Sequence, residues 1–172
     1  MNIKIYPLER IEIDGILLRF GMGKADVENL IGKGFFAGNK YYYFGNEMSI
    51  SYDKYGKMEY VEFLGGIDGI LKPEIYGVSV FETDAETLVT FLKQKNNGEV
   101  ADIESGHSYC FANISVGVYR EMSPKDIMEM IEEIKSFGIS AENNEDLEND
   151  KRKALYFATI GAGAAGYYKA QK

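Results

Sequence analysis

Apolar and polar positions change their period several times along this chain, and each change marks an element. Ile3–Tyr6 and Ile11–Phe20 are rich in Ile and Leu and read as strand-prone, the second broken by a turn at Asp14-Gly15. After Gly21-Met22-Gly23-Lys24 the period lengthens: Val27, Leu30 and Ile31 recur at helical spacing, until Gly32 and Gly34 stop the helix. Strand patterns return at Tyr41–Phe44 and Met48–Tyr52, joined by Gly45-Asn46 as a hairpin. Met58–Leu64 follows the turn Lys54-Tyr55-Gly56-Lys57. Gly65-Gly66 and Gly69 then form a loop that divides the chain into halves.

The second half has a similar order. Glu74–Phe81 reads as a strand. Ala85, Leu88, Val89 and Leu92 form a helical stripe that ends at Asn96-Asn97-Gly98. His107–Phe111 and Ile114–Tyr119 make another hairpin. Tyr42, Phe44 and Asn46 match Tyr109, Phe111 and Asn113 at one constant spacing, and Met48-Ser49-Ile50 matches Ile114-Ser115-Val116 after a one-residue gap. Ser123-Pro124 opens a further helix, a capping serine followed by proline in the first turn. Its stripe is Ile127, Met130, Ile131 and Ile134, and Gly138 ends it. Ala141–Lys153 is polar and reads as loop or fraying helix, and Ala154–Ile160 as a returning strand. The expected fold class is α+β: an antiparallel sheet with helices on one side, in two degenerate pseudo-repeats, 1–66 and 67–172. The second repeat carries an acidic insertion at 121–153, and the whole forms one compact unit. Val27, Leu30, Leu88, Leu92, Ile127, Ile131 and Ile134 are expected to be buried.

Composition narrows the classes. A chain of 172 residues with 45% hydrophobic and 27% charged content is ordinary for a globular domain. With no apolar run of about 18 residues, no membrane helix is expected. Charged residues interrupt the opening Met1–Gly15, so it reads as lacking a signal peptide. The single cysteine, Cys110, suits a reducing, cytoplasmic location. A net charge of −8 argues against nucleic acid or an anionic membrane as partner and suits a basic protein. The excess of acids over bases between Glu121 and Asp150 equals that whole net charge. Glu129, Glu132, Glu133, Glu142, Glu145 and Asp146 are therefore the candidate partner-binding residues.

Candidate chemistry is sparse. Gly161-x-Gly163-x-x-Gly166 has the glycine spacing of a dinucleotide fingerprint, but that site needs a βαβ unit and an acid about 20 positions on, which the residues after Gly166 do not hold. His107 and Cys110, three apart on a strand, point to opposite faces, so they read as a surface histidine and a small core cysteine. No cofactor, metal or catalytic set is expected. A second function class remains open, a small-ligand pocket lined by Tyr41, Tyr43, Tyr52 and Tyr109.

One stretch resembles known domains. Phe20-Gly21-Met22-Gly23-Lys24-Ala25-Asp26-Val27-Glu28-Asn29-Leu30-Ile31-Gly32 is similar to the "GMS-x-x-E-V-x-x-L-L-G" helix of β-lactamase-inhibitor-like repeat proteins and of a small outer-membrane assembly lipoprotein family. Tyr52-Asp53-Lys54-Tyr55-Gly56-Lys57 with Val61-Glu62-Phe63 resembles their following hairpin. The likeness covers about 18–64 and, less closely, 84–160. It implies a helix packed on an antiparallel sheet, often in tandem, and a binding role such as that of bacterial immunity proteins. The chain departs from it in having no Trp and no lipobox cysteine.

Overall fold

The structure, a computed structural model, describes residues 1–138 and 145–169. The fold is α+β, built on two sheets. The smaller sheet contains β1 (Asn2–Tyr6), β2 (Arg10–Ile13), β3 (Ile16–Arg19), β8 (Lys72–Ile75) and β9 (Val78–Ser79), in the order β3-β2-β1-β8-β9. The larger sheet contains β4 (Phe35–Ala37), β5 (Lys40–Tyr43), β6 (Met48–Tyr52) and β7 (Met58–Phe63) from the first half. From the second half it takes β10 (Ala101–Asp102), β11 (Ser108–Phe111), β12 (Val116–Tyr119) and β13 (Thr159–Gly163). Its order is β10-β11-β12-β13-β7-β6-β5-β4. The helices are α1 (Lys24–Ile31), α2 (Ala85–Asn96), α3 (Pro124–Ser136) and α4 (Glu145–Lys153).

The expected single sheet is thus two. Among the described residues every strand pairing is antiparallel except β1 with β8, where Ile3 lies beside Pro73 and Ile5 beside Ile75. Glu74–Phe81 is not one strand but the β8–β9 hairpin, because Tyr76 and Gly77 both adopt positive φ, 52° and 78°, as the matching Asp14-Gly15 turn does. Two consecutive left-handed residues reverse the chain within two positions.

The same order of elements occurs in both halves: a hairpin (β2–β3, β8–β9), a helix (α1, α2) and a four-stranded meander (β4–β7, β10–β13). In the second, α3 and α4 intervene between β12 and β13. At the seam Ile160 pairs with Phe63, Gly161 with Glu62 and Ala162 with Val61. Relative to the turns, Tyr41 corresponds to Tyr109 and Tyr43 to Phe111, one residue from the sequence match, and Met48 corresponds to Val116 rather than Ile114. Core burial decides this register: Tyr43, Met48 and Ile50, and Phe111, Val116 and Val118, all point into one cluster.

That cluster joins Ile3, Ile5, Ile11, Ile13, Leu18 and Ile75 of the smaller sheet to Phe63, Phe111, Val116 and Ile160 of the larger one, with Val27, Leu88 and Leu92 from α1 and α2. Val27, Leu88, Leu92 and Ile127 are buried, but Leu30 is 44% exposed, and Ile131 and Ile134 are half-buried. Helix α1 buries only Val27, so its stripe is narrower than the spacing predicted. Helix α3 misses the main core. It packs on a satellite cluster of Ile127, Leu147 and Ala154 with Met122, Met130 and Ile131 around them.

Three segments differ from the sequence reading. The edge strands β4 and β10 carry no alternating pattern long enough to announce them. The strand expected at Ala154–Ile160 begins only at Thr159, because Ala154–Tyr156 turns off the end of α4. The stretch 141–153, expected as loop or fraying helix, contains the helix α4, with Glu145, Asp146 and Glu148 in its first turn and Lys151, Arg152 and Lys153 in its last, complementing the helix dipole.

Candidate functional site

Helix α3 begins as its sequence dictates. The Ser123 hydroxyl accepts from the Asp126 backbone N–H, and the Asp126 carboxylate accepts from the Ser123 N–H at 2.6 Å, a reciprocal capping box with proline behind it. Ile127 faces inward, and the helical period then turns Met128, Glu129, Glu132 and Glu133 outward. All four are exposed, Met128 at 63%, and Phe137 just past the helix end is 72% exposed. Lys125 lies 3.5 Å from Glu129 on the same face.

The other candidate acids are distributed differently. Glu145 and Asp146 are exposed on α4, and Glu142 lies outside the described residues. The acidic run ends at Asp150, and Lys151, Arg152 and Lys153 follow on the same helix. Lys151 pairs with Glu148 at 2.6 Å, while Arg152 and Lys153 reach Asp68 at 2.5 and 3.1 Å. The excess of acids expected between Glu121 and Asp150 is therefore shared: α3 carries four acids against Lys125 and Lys135, and the acids of α4 are largely offset by the bases of its last turn.

A polar junction fixes this helical pair to the sheet. Arg120 is 4% exposed, and its guanidinium is engaged at each nitrogen. It donates to the Gly106 carbonyl at 3.0 Å and the Ala154 carbonyl at 3.5 Å, and pairs with Glu86 of α2 at 2.7 Å. His107 Nδ1 lies 2.8 Å from the Glu104 carbonyl, and its Nε2 lies 2.8 Å from Asp126 Oδ2. His107 is thus no free surface histidine. The Glu104 carbonyl first, then the Asp126 carboxylate, hold its pKa above the ordinary value. Asp126 is drawn down to about 2, first by the Ser123 hydroxyl, then by the Ser123 N–H, and further by His107.

Serine, histidine and aspartate meet here in the wrong order for nucleophilic catalysis. The Ser123 hydroxyl donates to Asp126 at 2.5 Å, and His107 bonds the same carboxylate oxygen, so the imidazole does not activate the serine. The capping motif Ser123-x-x-Asp126 was legible. That His107 would complete it, from a strand start well before the helix, had no local signal.

The tyrosines expected to share a pocket do not all meet. Tyr43 and Tyr52 hydroxyls lie 3.3 Å apart, and the Tyr41 and Tyr52 rings are edge-on at 5.5 Å. Lys24 of α1 sits 4.6 Å from the Tyr41 ring centre and pairs with Glu28. Burial pushes the Tyr43 and Tyr52 phenols up, as expected of rings packed on one another. Tyr109 is in the other half, edge-on to Phe157 at 6.2 Å. A cavity of about 220 Å³ lies elsewhere, between the loop at Gly65-Gly66, Glu121-Met122 and the end of α4 at Lys153.

The outer face of the larger sheet explains the glycine motif. Gly161 and Gly163 are inside β13, and Gly166 precedes a short 3-10 turn, Tyr167–Lys169. A side chain at Gly161 would collide with the Tyr60 ring, and one at Gly117 with the Tyr168 ring. Tyr60 stacks on Tyr167 at 4.6 Å with Tyr168 edge-on beside it. The glycines form the floor under a tyrosine cluster, not a phosphate loop. Beside it Glu62 binds Lys40 at 2.6 Å. Cys110 is buried in the row of residues that includes Gly117 and Gly161.

Among the described residues no group of three or more acidic, His or Cys side chains has the placement to hold a metal ion, and no helix is long and apolar enough to cross a membrane. No protein-family model, curated protein or solved structure matches this chain.

Proposed function

We propose that this protein is a non-enzymatic protein-binding module that presents α3 to a basic partner, in the manner of an inhibitor or an immunity protein. The observation that carries the reading is the composition of one exposed arc: Met128, Glu129, Glu132 and Glu133 on the helix, with Phe137 at its end. Large apolar side chains bordered by charge are the usual makings of an interface, where the apolar residues anchor and the charges steer. The likeness of Phe20–Gly32 to the inhibitor-like repeat domains supports the same class, and a reducing, cytoplasmic location belongs to the reading. Nothing in the geometry favours the small-ligand alternative, since Tyr109 is apart from Tyr41, Tyr43 and Tyr52.

The test is kinetic. Crosslinking to the tagged chain identifies the partner, and its association rate is measured against salt for the wild type and for Glu129→Lys/Glu132→Lys/Glu133→Lys. The triple variant should associate more slowly with a flatter salt slope, because exposed charges act mainly on encounter and are screened over about 8 Å at physiological ionic strength. Equal rates and equal slopes would remove α3 from the interface.

A further inference from the structure

The attachment of α3 and α4 has an unusual property. The helices bury little against the main core and rest on their own satellite cluster, so the polar junction at the start of α3 carries much of their docking. His107 sits at its centre between two groups that can only accept hydrogen bonds, the Glu104 carbonyl and the Asp126 carboxylate, each 2.8 Å from a ring nitrogen. A neutral imidazole has one N–H and one lone pair. It can satisfy either acceptor but must turn a lone pair on the other. Only the imidazolium donates to both.

We propose that His107 is a proton-operated latch, which as an imidazolium ties the start of α3 to the loop before β11 and on losing its proton releases one of those ties, loosening α3 and α4 from the sheet. The inference concerns this chain alone and holds whether or not the α3 face has a partner.

The charged groups around the ring support the direction. Asp126 faces it from α3. From β10 the Asp102 carboxylate accepts from the Gly106 N–H at 2.8 Å. Arg120, from the segment after β12, opposes the imidazolium but is itself paired to Glu86 of α2. The Arg120 backbone N–H donates to the His107 carbonyl at 2.9 Å, which fixes the ring's backbone independently of its charge. His107 has a raised value, so its contribution is complete below 6.5 and is lost as pH rises through that raised value. Asp126 has a lowered value, so its contribution is present above 3.8 and is lost as pH falls through about 2. The latch is closed between those limits and opens on the alkaline side, above the ordinary histidine value of 6.5.

The experiment is an NMR titration of the His107 ring, with amide exchange protection measured along α3, α4 and the larger sheet from pH 5.5 to 8.5. In the wild type the ring should titrate above 6.5, and protection of the α3 amides should fall in step with it while that of β7 and β13 holds. The fall should approach about tenfold for each unit by which the midpoint exceeds 6.5. His107→Gln, which offers donors at one end only, turns an acceptor oxygen on the other partner and cannot titrate, should show low, pH-independent α3 protection. Asp126→Asn should lower the ring's midpoint. A wild-type midpoint at or below 6.5, α3 protection that is flat with pH, or the same pH response in His107→Gln would each overturn the latch. The wild-type titration decides the matter even where a variant folds poorly.

Discussion

At the scale of single residues, the sharpest constraints are steric. Gly161 occupies a central strand, where glycine ordinarily weakens a sheet, and it needs no positive φ. What holds it is Tyr60, whose ring lies where a methyl group would go and is pinned by Tyr167 and Tyr168. Burial raises the Tyr60 and Tyr168 phenols, in keeping with rings shut away from water. Gly161→Ala should therefore cost about 1–3 kcal/mol through overpacking. In a Tyr60→Ala background the same change should be close to neutral, since the obstacle is gone. Urea denaturation of the four proteins gives the coupling energy, and a cost of Gly161→Ala that is equal in both backgrounds would refute the steric account. The sequence showed these glycines clearly but not their purpose. A glycine-rich strand and a phosphate loop differ in what lies above the backbone, and Tyr60 comes from a strand of the other half.

At the scale of elements, burial separates helices whose sequence patterns look alike. Leu88 faces the main core, Ile127 faces the satellite cluster and Leu30 faces solvent, yet each sits on an apolar stripe of similar spacing. Leu88→Ala should destabilise the whole protein by about 2–5 kcal/mol. Ile127→Ala should instead melt α3 and α4 before the sheets, because a small separate cluster gives a locally weaker unit. Leu30→Ala should change stability by less than about 0.5 kcal/mol, as an exposed side chain leaves no cavity. Far-UV circular dichroism and tyrosine fluorescence followed through denaturation distinguish the three. Coincident transitions for Ile127→Ala would show that the helical pair is not a separate unit.

At the scale of the molecule, the two halves are joined through β7 and β13, a seam in the middle of the eight-stranded sheet, and through β1 and β8 in the smaller sheet. Pairings that close such long loops form late and at high entropic cost, so the seam depends on an intact ladder. Ala162→Pro removes a donor from the central strand β13 and should prevent stable folding, costing about 3 kcal/mol or more. Phe36→Pro lies on the edge strand β4 and should be far milder. Thermal melts of both variants check this, and Ala162→Pro melting with the wild type would show that the seam does not hold the halves together.

The sequence by itself determined what depends on neighbours along the chain. Ser123-Pro124 with Asp126 specified the start of α3, the Leu88, Val89 and Leu92 stripe specified α2, and Gly45-Asn46 marked a hairpin, because caps, helical stripes and turns are formed by residues within a few positions of one another. It also placed the acids Glu129, Glu132 and Glu133 on the outer side of α3. Only the tertiary structure decided which strands share a sheet, that β1 runs parallel to β8, that Tyr109 leaves the other tyrosines, and that His107 meets Asp126. Each of these is a contact between residues distant in sequence, and no local propensity encodes it. They follow from burying one common core, in which Ile3, Phe63, Leu88 and Val116 must all leave water together.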